Sequence, residues 1–277
     1  MSTGDGPKVV ALELRSAFHQ PGCPICRVKE QSAYRYLFGL LWENVNNMGI
    51  RLHLVDSLGF CPEHTWHLWC LASAEFGGEV GTHILYEAVV RNVAGRLCRL
   101  QAHLPDRVST PWWLRGWMRL RAALGIPRRK DLMPTRRCPA CECVSDAEER
   151  NMHWLIEGCG DAAFWASYAA SDGLCLTHLR QAVEGSLWTN SRAARLLTEL
   201  AVQRLQVLDG DLNGHIRKRA WECRHETMTD GEQSSAHRAA QFLGGQDPCS
   251  GRTEAHSQKP EYLPSRFYRQ MGLRVDE

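Results

Sequence analysis

Apolar side chains along this chain recur at three- and four-residue steps, the signature of helices that bury one face. Residues 8–19 carry Val10, Leu12, Ala17 and Phe18 and stop at Pro21-Gly22. A longer helix is predicted over about 27–45, with Tyr34, Leu37, Phe38 and Leu41 on one face and Asn46-Asn47 and Gly49 ending it. A short segment, 50–58, leads to Gly59. Pro62 suits the first position of the next helix, which stops at Gly77-Gly78. A helix over about 79–104 sets Leu85, Val89, Val93, Leu97, Leu100 and Leu104 in a helical rhythm and is closed by Pro105.

The second half follows the same scheme. A helix after Cys141 carries Met152, Leu155 and Ile156, each 115 positions beyond Leu37, Leu40 and Leu41. Another opens near Cys175. A long helix over 191–218 is expected to bury Leu197, Leu200, Leu205, Leu208, Leu212 and Ile216, and a short one follows over 232–243. Residues 246–277 are polar with little periodicity and are expected to form a disordered tail, with 262–268 as a docking peptide. No run of alternating β-branched residues bounded by turns occurs, so the expected class is all-α. No apolar run reaches the length of a membrane span, and Glu13 and Arg15 interrupt the only stretch resembling a leader. The expected location is cytoplasmic.

One pattern of residues occurs twice. Gly22-Cys23-Pro24-Ile25-Cys26 is followed by Gly59-Phe60-Cys61-Pro62-Glu63-His64; Cys138-Pro139-Ala140-Cys141 is followed by Gly173-Leu174-Cys175-Leu176-Thr177-His178. The Cys-x-x-Cys pairs are offset by 115 positions and the Cys-x-x-His pairs by 114. Two matched quartets imply two pseudo-repeated helical modules, 1–105 and 138–245, joined by a linker helix over 106–137.

Three thiolates and one imidazole form a closed tetrahedral set for zinc. The expectation is two ions per chain: one on Cys23, Cys26, Cys61 and His64, the other on Cys138, Cys141, Cys175 and His178. Each ion would then close a helical excursion of 34 or 33 residues. An iron–sulfur cluster is the competing cofactor, because three Cys and one His also hold one. A dithiol redox pair is suggested by Cys-Pro-Ile-Cys, but no βαβ pattern surrounds it. Arg27 and Glu142 stand where a haem-attachment motif needs His. Of the other six cysteines, Cys143 is close enough to Cys141 to compete as a ligand; Cys70, Cys98, Cys159, Cys223 and Cys249, like it, are expected to be buried small apolar residues. His67, one turn beyond His64, is a second-sphere partner, a catalytic base or an ordinary helix histidine; the second copy has Gln181 there. No catalytic residue is assigned.

Charge changes the picture at one place. The net charge is +2, yet residues 107–137 alone carry nine basic residues and one acidic one, leaving −6 for the rest. Arg115, Arg119, Arg121, Arg128, Arg129 and Lys130 lie among Trp112, Trp113 and Trp117. Such a stretch packs its tryptophans between modules, holds nucleic acid, or lies on an anionic membrane surface.

Taken together, the paired motifs, the basic linker and the run from Leu212 to Gly245 resemble an uncharacterised bacterial family, a domain of unknown function, over about residues 8–245. The resemblance implies the duplicated helical architecture and places Trp221, His225, Glu232 and His237 in the folded unit; it brings no catalytic residues. The reading reached is a zinc-binding helical scaffold or regulatory protein with an unidentified protein partner, more a binding protein than an enzyme. A metal- or thiol-dependent redox enzyme and a nucleic-acid-binding protein are the alternatives.

Overall fold

The computed structural model describes residues 6–76, 80–102, 116–117, 120, 132–223 and 225–245. Among them are ten α-helices and no strand: α1 (Gly6–Phe18), α2 (Pro24–Gly39), α3 (Met48–Asp56), α4 (Pro62–Glu75), α5 (Val80–Ala102), α6 (Pro139–Gly158), α7 (Ala162–Ala170), α8 (Leu176–Ser186), α9 (Ser191–Lys218) and α10 (Asp230–Gly244). The protein is all-α, as its periodicity implies. Most of the linker, with Trp112, Trp113, Arg115, Arg119, Arg121, Arg128, Arg129 and Lys130, and the tail from 246 onward lie outside the described residues.

The chain forms two compact units, and they are not consecutive in sequence. One unit joins residues 1–28 to 148–277; the other is 29–147. The boundaries expected at 105/106 and 137/138 therefore do not coincide with the edges of the compact units.

In the second unit, the core gathers Leu37, Leu40 and Leu41 from α2 and the π turn that continues it (Leu40–Asn44), Leu54 from α3, Leu68 and Leu71 from α4, and Leu85 and Val89 from α5. Tyr34, Phe38, Trp42 and Phe76 extend this core as a run of stacked and tilted rings. The π turn leaves the Gly39 carbonyl to be satisfied by the Asn44 side-chain amide at 3.1 Å. Only the first half of the apolar stripe on α5 is covered: Val93 is partly buried and Leu97 is exposed. Leu104 lies outside the described residues.

The first unit packs α1 against α7 and α8, α9 and α10 against one another. Phe18 meets Phe164 and Tyr168 edge-on, with ring centroids 5.2 and 5.6 Å apart. Met152, Leu155 and Ile156 are buried, as expected. On α9 burial is confined to Ala193, Ala194 and Leu197; Leu205 and Ile216 are exposed, and Leu200, Leu208 and Leu212 are half-covered. The neighbouring helices follow α9 to its end, where Glu232 meets Lys218 and His215, so Leu205 and Ile216, three turns apart on one edge of the apolar stripe, are left facing outward.

Two helices are unforeseen in the sequence. Asn47 was read as ending the helix before it, yet its side chain accepts from the Ile50 amide and caps α3. Asp161 likewise caps α7 through the Phe164 amide, 2.7 Å away. The capping box of α10 is complete, with Thr229 and Glu232 each bonding the other's backbone amide. Glu232 is also held 2.7 Å from Lys218, and the Glu232 carbonyl lies 2.9 Å from His215 Nδ1. Trp221, His225 and His237 are exposed around it.

A direct test of this core contrasts two leucines on α9. Leu197 is 1% exposed and Leu205 37%. Leu197→Ala should lower stability by about 2–5 kcal/mol, because a closed site cannot collapse around the cavity. Leu205→Ala should change it by no more than about 0.5 kcal/mol. Urea unfolding of the metal-loaded protein measures both.

Candidate metal centres

All four half-sites of the repeated motif are built the same way. Cys61 is the N-cap of α4 and Cys175 the N-cap of α8. Cys23 and Cys138 stand immediately before Pro24 and Pro139, the first residues of α2 and α6. In each case the carbonyl of the leading Cys accepts the first helical bond, from Arg27, Thr65, Glu142 and Leu179 at 2.8–3.1 Å. Proline, which has no N–H to lose, suits the first helical position in three of the four. The helix predicted to begin near residue 27 therefore starts earlier, and the Cys-Pro-x-Cys motif itself opens it. The second donor follows one turn later, so each helix N-terminus presents two donors on one side.

Backbone geometry aims these termini. Gly22, Gly59 and Gly173 adopt φ of +89°, +98° and +81°, just ahead of Cys23, Cys61 and Cys175. The amide of Gly59 reaches back to Leu54 O at 2.7 Å and turns the chain out of α3. Gly22 N donates to Asp172 Oδ2 at 2.6 Å, which fastens one half-site of the first unit to the other. At Gly173 a side chain would also collide with Arg204, whose Nη2 donates to the carbonyls of Tyr168, Ala169 and Ser171 at 2.6–3.3 Å. In the second unit, Thr135 bonds Asp56 O through both its amide and its hydroxyl, and His53 Nε2 lies 3.1 Å from Arg137 O. These bonds seat the segment leading into Cys138.

The eight expected donors come together as two Cys3His sets, with the partners exchanged. Cys23 and Cys26 meet Cys175 and His178; Cys61 and His64 meet Cys138 and Cys141. Quartets drawn from a single motif copy do not form. Helix lengths give the reason. From the first Cys-Pro-x-Cys the chain runs 16 residues in α2 and 5 in the π turn, about 30 Å, whereas the returning α3 has 9 residues, about 13 Å. The 20 residues of α6 and the 9 of α7 are mismatched in the same way. A short return does not bring a Cys-x-x-His back to the Cys-x-x-Cys it left.

The geometry fits one tetrahedral ion per set. Metal–sulfur and metal–nitrogen bonds of about 2.3 and 2.0 Å place sulfurs about 3.8 Å apart and sulfur–nitrogen pairs about 3.5 Å apart. In the first unit, Cys26 Sγ and Cys175 Sγ are 3.8 Å apart, and His178 Nδ1 lies 3.2–3.4 Å from all three sulfurs. In the second, Cys141 Sγ and Cys61 Sγ are 3.5 Å apart, and His64 Nδ1 lies 3.0–3.9 Å from its three sulfurs. All donor atoms within a set fall within 4.8 Å of one another.

Electrostatics without an ion is unfavourable. Burial, with Cys175 and Cys26 beside it, raises the Cys23 thiol well above its ordinary range. Burial, with Cys61 and Cys138 nearby, pushes Cys141 up to about 12. Cys175 alone is driven down, by hydrogen bonds from Cys23 and Cys26. Burial opposes a charge on His178, but Cys175 and Cys26 outweigh it and lift the imidazole to about 9. A metal takes such sulfurs as thiolates, so its binding would be linked to loss of these protons.

The surroundings of the two sets differ. His178 Nε2 faces Glu148 Oε1 at 3.2 Å, the carboxylate–histidine arrangement that fixes a ligand imidazole. Glu148 carried no signal in the sequence, since it lies two turns along α6 from Cys141. Burial lowers the pKa of His64, and its ring meets His67 edge-on with centroids 6.0 Å apart. His67 is exposed and outside the donor set, as is Gln181 beside the other. Cys143 also lies outside. Among the other described cysteines only Cys159 is buried; Cys70 and Cys98 are exposed and Cys143 and Cys223 half-covered. The expectation that these cysteines fill a core thus holds for one, and Cys249 lies outside the described residues.

The exchanged pairing is testable by metal content. Cys23→Ser and Cys175→Ser should each remove the same ion, so the double variant should retain one per chain. Cys23→Ser combined with Cys61→Ser should retain none. Closure within each motif copy would give the reverse, and elemental analysis of the two double variants decides.

Comparison with known proteins places these centres in context. The chain belongs to a family of unknown function (DUF6062), which it matches over residues 7–250. No curated protein and no solved structure matches it.

Proposed function

We propose that this member of the family is a zinc-stabilised helical binding scaffold, each of whose two ions is structural. The carrying observation is that three sulfurs and one nitrogen lie within 4.8 Å of one another in each set, a complete four-ligand complement for one ion. A catalytic zinc site keeps a corner for water or substrate, whereas a closed one fixes the fold. The donor spacings also speak for a single ion, because a cluster spreads its ligands over several irons. Thiols kept reduced for metal binding suit a cytoplasmic protein, and no helix among the described residues is long and apolar enough to cross a membrane.

The partner is proposed to be another protein. The basic stretch with Arg115, Arg119, Arg121, Arg128, Arg129 and Lys130 supports nucleic acid as a second reading through its charge alone. Retention on a nucleic-acid column that falls steeply with salt would favour it, because neutralised phosphates release counterions.

Protein purified without added metal should contain two zinc ions per chain and no acid-labile sulfide. Replacing zinc by cobalt(II) should give the intense visible absorption of a tetrahedral thiolate site at both positions. A strong chelator under reducing conditions should lower helical circular dichroism, since binding and folding are linked. Iron with sulfide, or a cobalt spectrum of five- or six-coordinate ions, would overturn the structural-zinc reading.

A further inference from the structure

We infer that the two metal centres have different tasks: the centre of Cys61, His64, Cys138 and Cys141 is an oxidant-sensitive, releasable site, and that of Cys23, Cys26, Cys175 and His178 a permanent one. The inference rests on the zinc reading above. Three observations carry it.

The first is access. Cys61, Cys138 and Cys141 are all partly exposed, whereas at the first centre only Cys26 is, with Cys23 and Cys175 at 4% and 3%. Oxidation of thiolates follows their exposure as well as their charge. The second is cover and support. At the first centre, Gly245 at the end of α10 lies over the donors; a Cβ there would stand 3.3 Å from Cys26 Sγ and 3.7 Å from Cys175 Sγ. Glu148 holds the ligand imidazole, and Asp172 clasps Gly22. At the other centre, the His64 ring meets the exposed His67 instead. The third is the sulfur pair itself. Cys61 and Cys141 belong to different helices and their sulfurs are 3.5 Å apart, against 3.8 Å for the matching Cys26–Cys175 pair, so the more exposed pair also needs the smaller approach to bond.

The reaction balances with a peroxide as oxidant. One thiolate attacks hydrogen peroxide; an S–O bond forms, the O–O bond breaks and hydroxide leaves. The second thiolate attacks that sulfenic sulfur, forming the disulfide and expelling a second hydroxide. Two thiolates have lost two electrons and the peroxide has gained them. The ion keeps two of its four protein ligands and is released. The link between the start of α4 and the start of α6 then becomes a covalent one of different geometry.

The test treats zinc-loaded protein with hydrogen peroxide, follows release with a chromogenic zinc chelator and maps disulfides by mass spectrometry. One ion per chain should leave at least about ten-fold faster than the other, with Cys61 joined to Cys141 at that stage. The Cys23→Ser variant, holding only the second centre, should lose its single ion at the fast rate. Release of both ions at one rate, or a first disulfide among Cys23, Cys26 and Cys175, would overturn the inference; the mapping on unaltered protein decides even if the variant does not fold. Protein containing no zinc before peroxide is added fails the zinc reading instead.

Discussion

Everything in this structure depends on joining helix N-termini in pairs. A helix start carries roughly half a positive charge from its unpaired amides, so two such ends brought together repel. Here each end arrives with thiol donors in its cap and first turn. Three thiolates, a divalent cation and two half-charges sum to about zero. The thiols raised in the absence of an ion show the other side of that balance: the helix ends alone do not supply enough positive charge to ionise all three sulfurs. With an ion bound, metal, cap and dipole would answer one another at each of these centres.

Exchange between motif copies follows from geometry against a small entropic bias. Donors in the first unit are separated by 149–155 positions, and the cross-links of the second by 74–80. Closing such loops costs about 1.3 and 0.7 kcal/mol more than closing the 34-residue excursion inside one copy. Either pairing offers an ion three Cys and one His, so neither ion binding, common to both, nor this small penalty decides the pairing. The unequal lengths of α2 and α3, and of α6 and α7, do. One resulting unit is discontinuous: residues 1–28 belong with a segment that begins at 148, and 29–147 form the other.

The sequence made the eight donors legible because they recur in order with fixed context, and it made the long helices legible because their apolar faces repeat. It could not show which half-site meets which. Two copies of Cys-x-x-Cys and two of Cys-x-x-His allow both pairings, and repetition is silent between them. The missed helices α3 and α7 are nine residues each, too short for periodicity to accumulate, and their evidence lay in the caps Asn47 and Asp161. Asn47 does follow the end of one helical run, as expected, and it also caps the next, a second role that one asparagine does not announce. Pro24 and Pro139 carried the first-position signal as clearly as Pro62 did. The overestimate of burial at Leu205, Ile216 and Leu97 has another cause: an apolar stripe fixes which face a helix would bury, while the position of its neighbours fixes which part of that face is covered.

A cavity of about 420 Å³ beside the first centre shows how far its chemistry is committed to structure. Its wall includes Cys23, Cys175, Asp172, Arg204 and the half-covered Leu200 and Leu208. Arg204 would be the natural anchor for an anion, but its Nη2 is spent on three carbonyls of the turn that leads to Cys175. Arg238 is likewise joined to Asp211. With three thiolates, Glu148 and Asp172 close by, an incoming anion would meet negative charge that one guanidinium and one dication do not fully offset. The polar groups around this cavity therefore hold the metal ligands in place. Outward, α9 shows Val202, Leu205 and Val207 among Glu199, Gln203, Gln206 and Asp209, a mixed surface rather than a continuous apolar one.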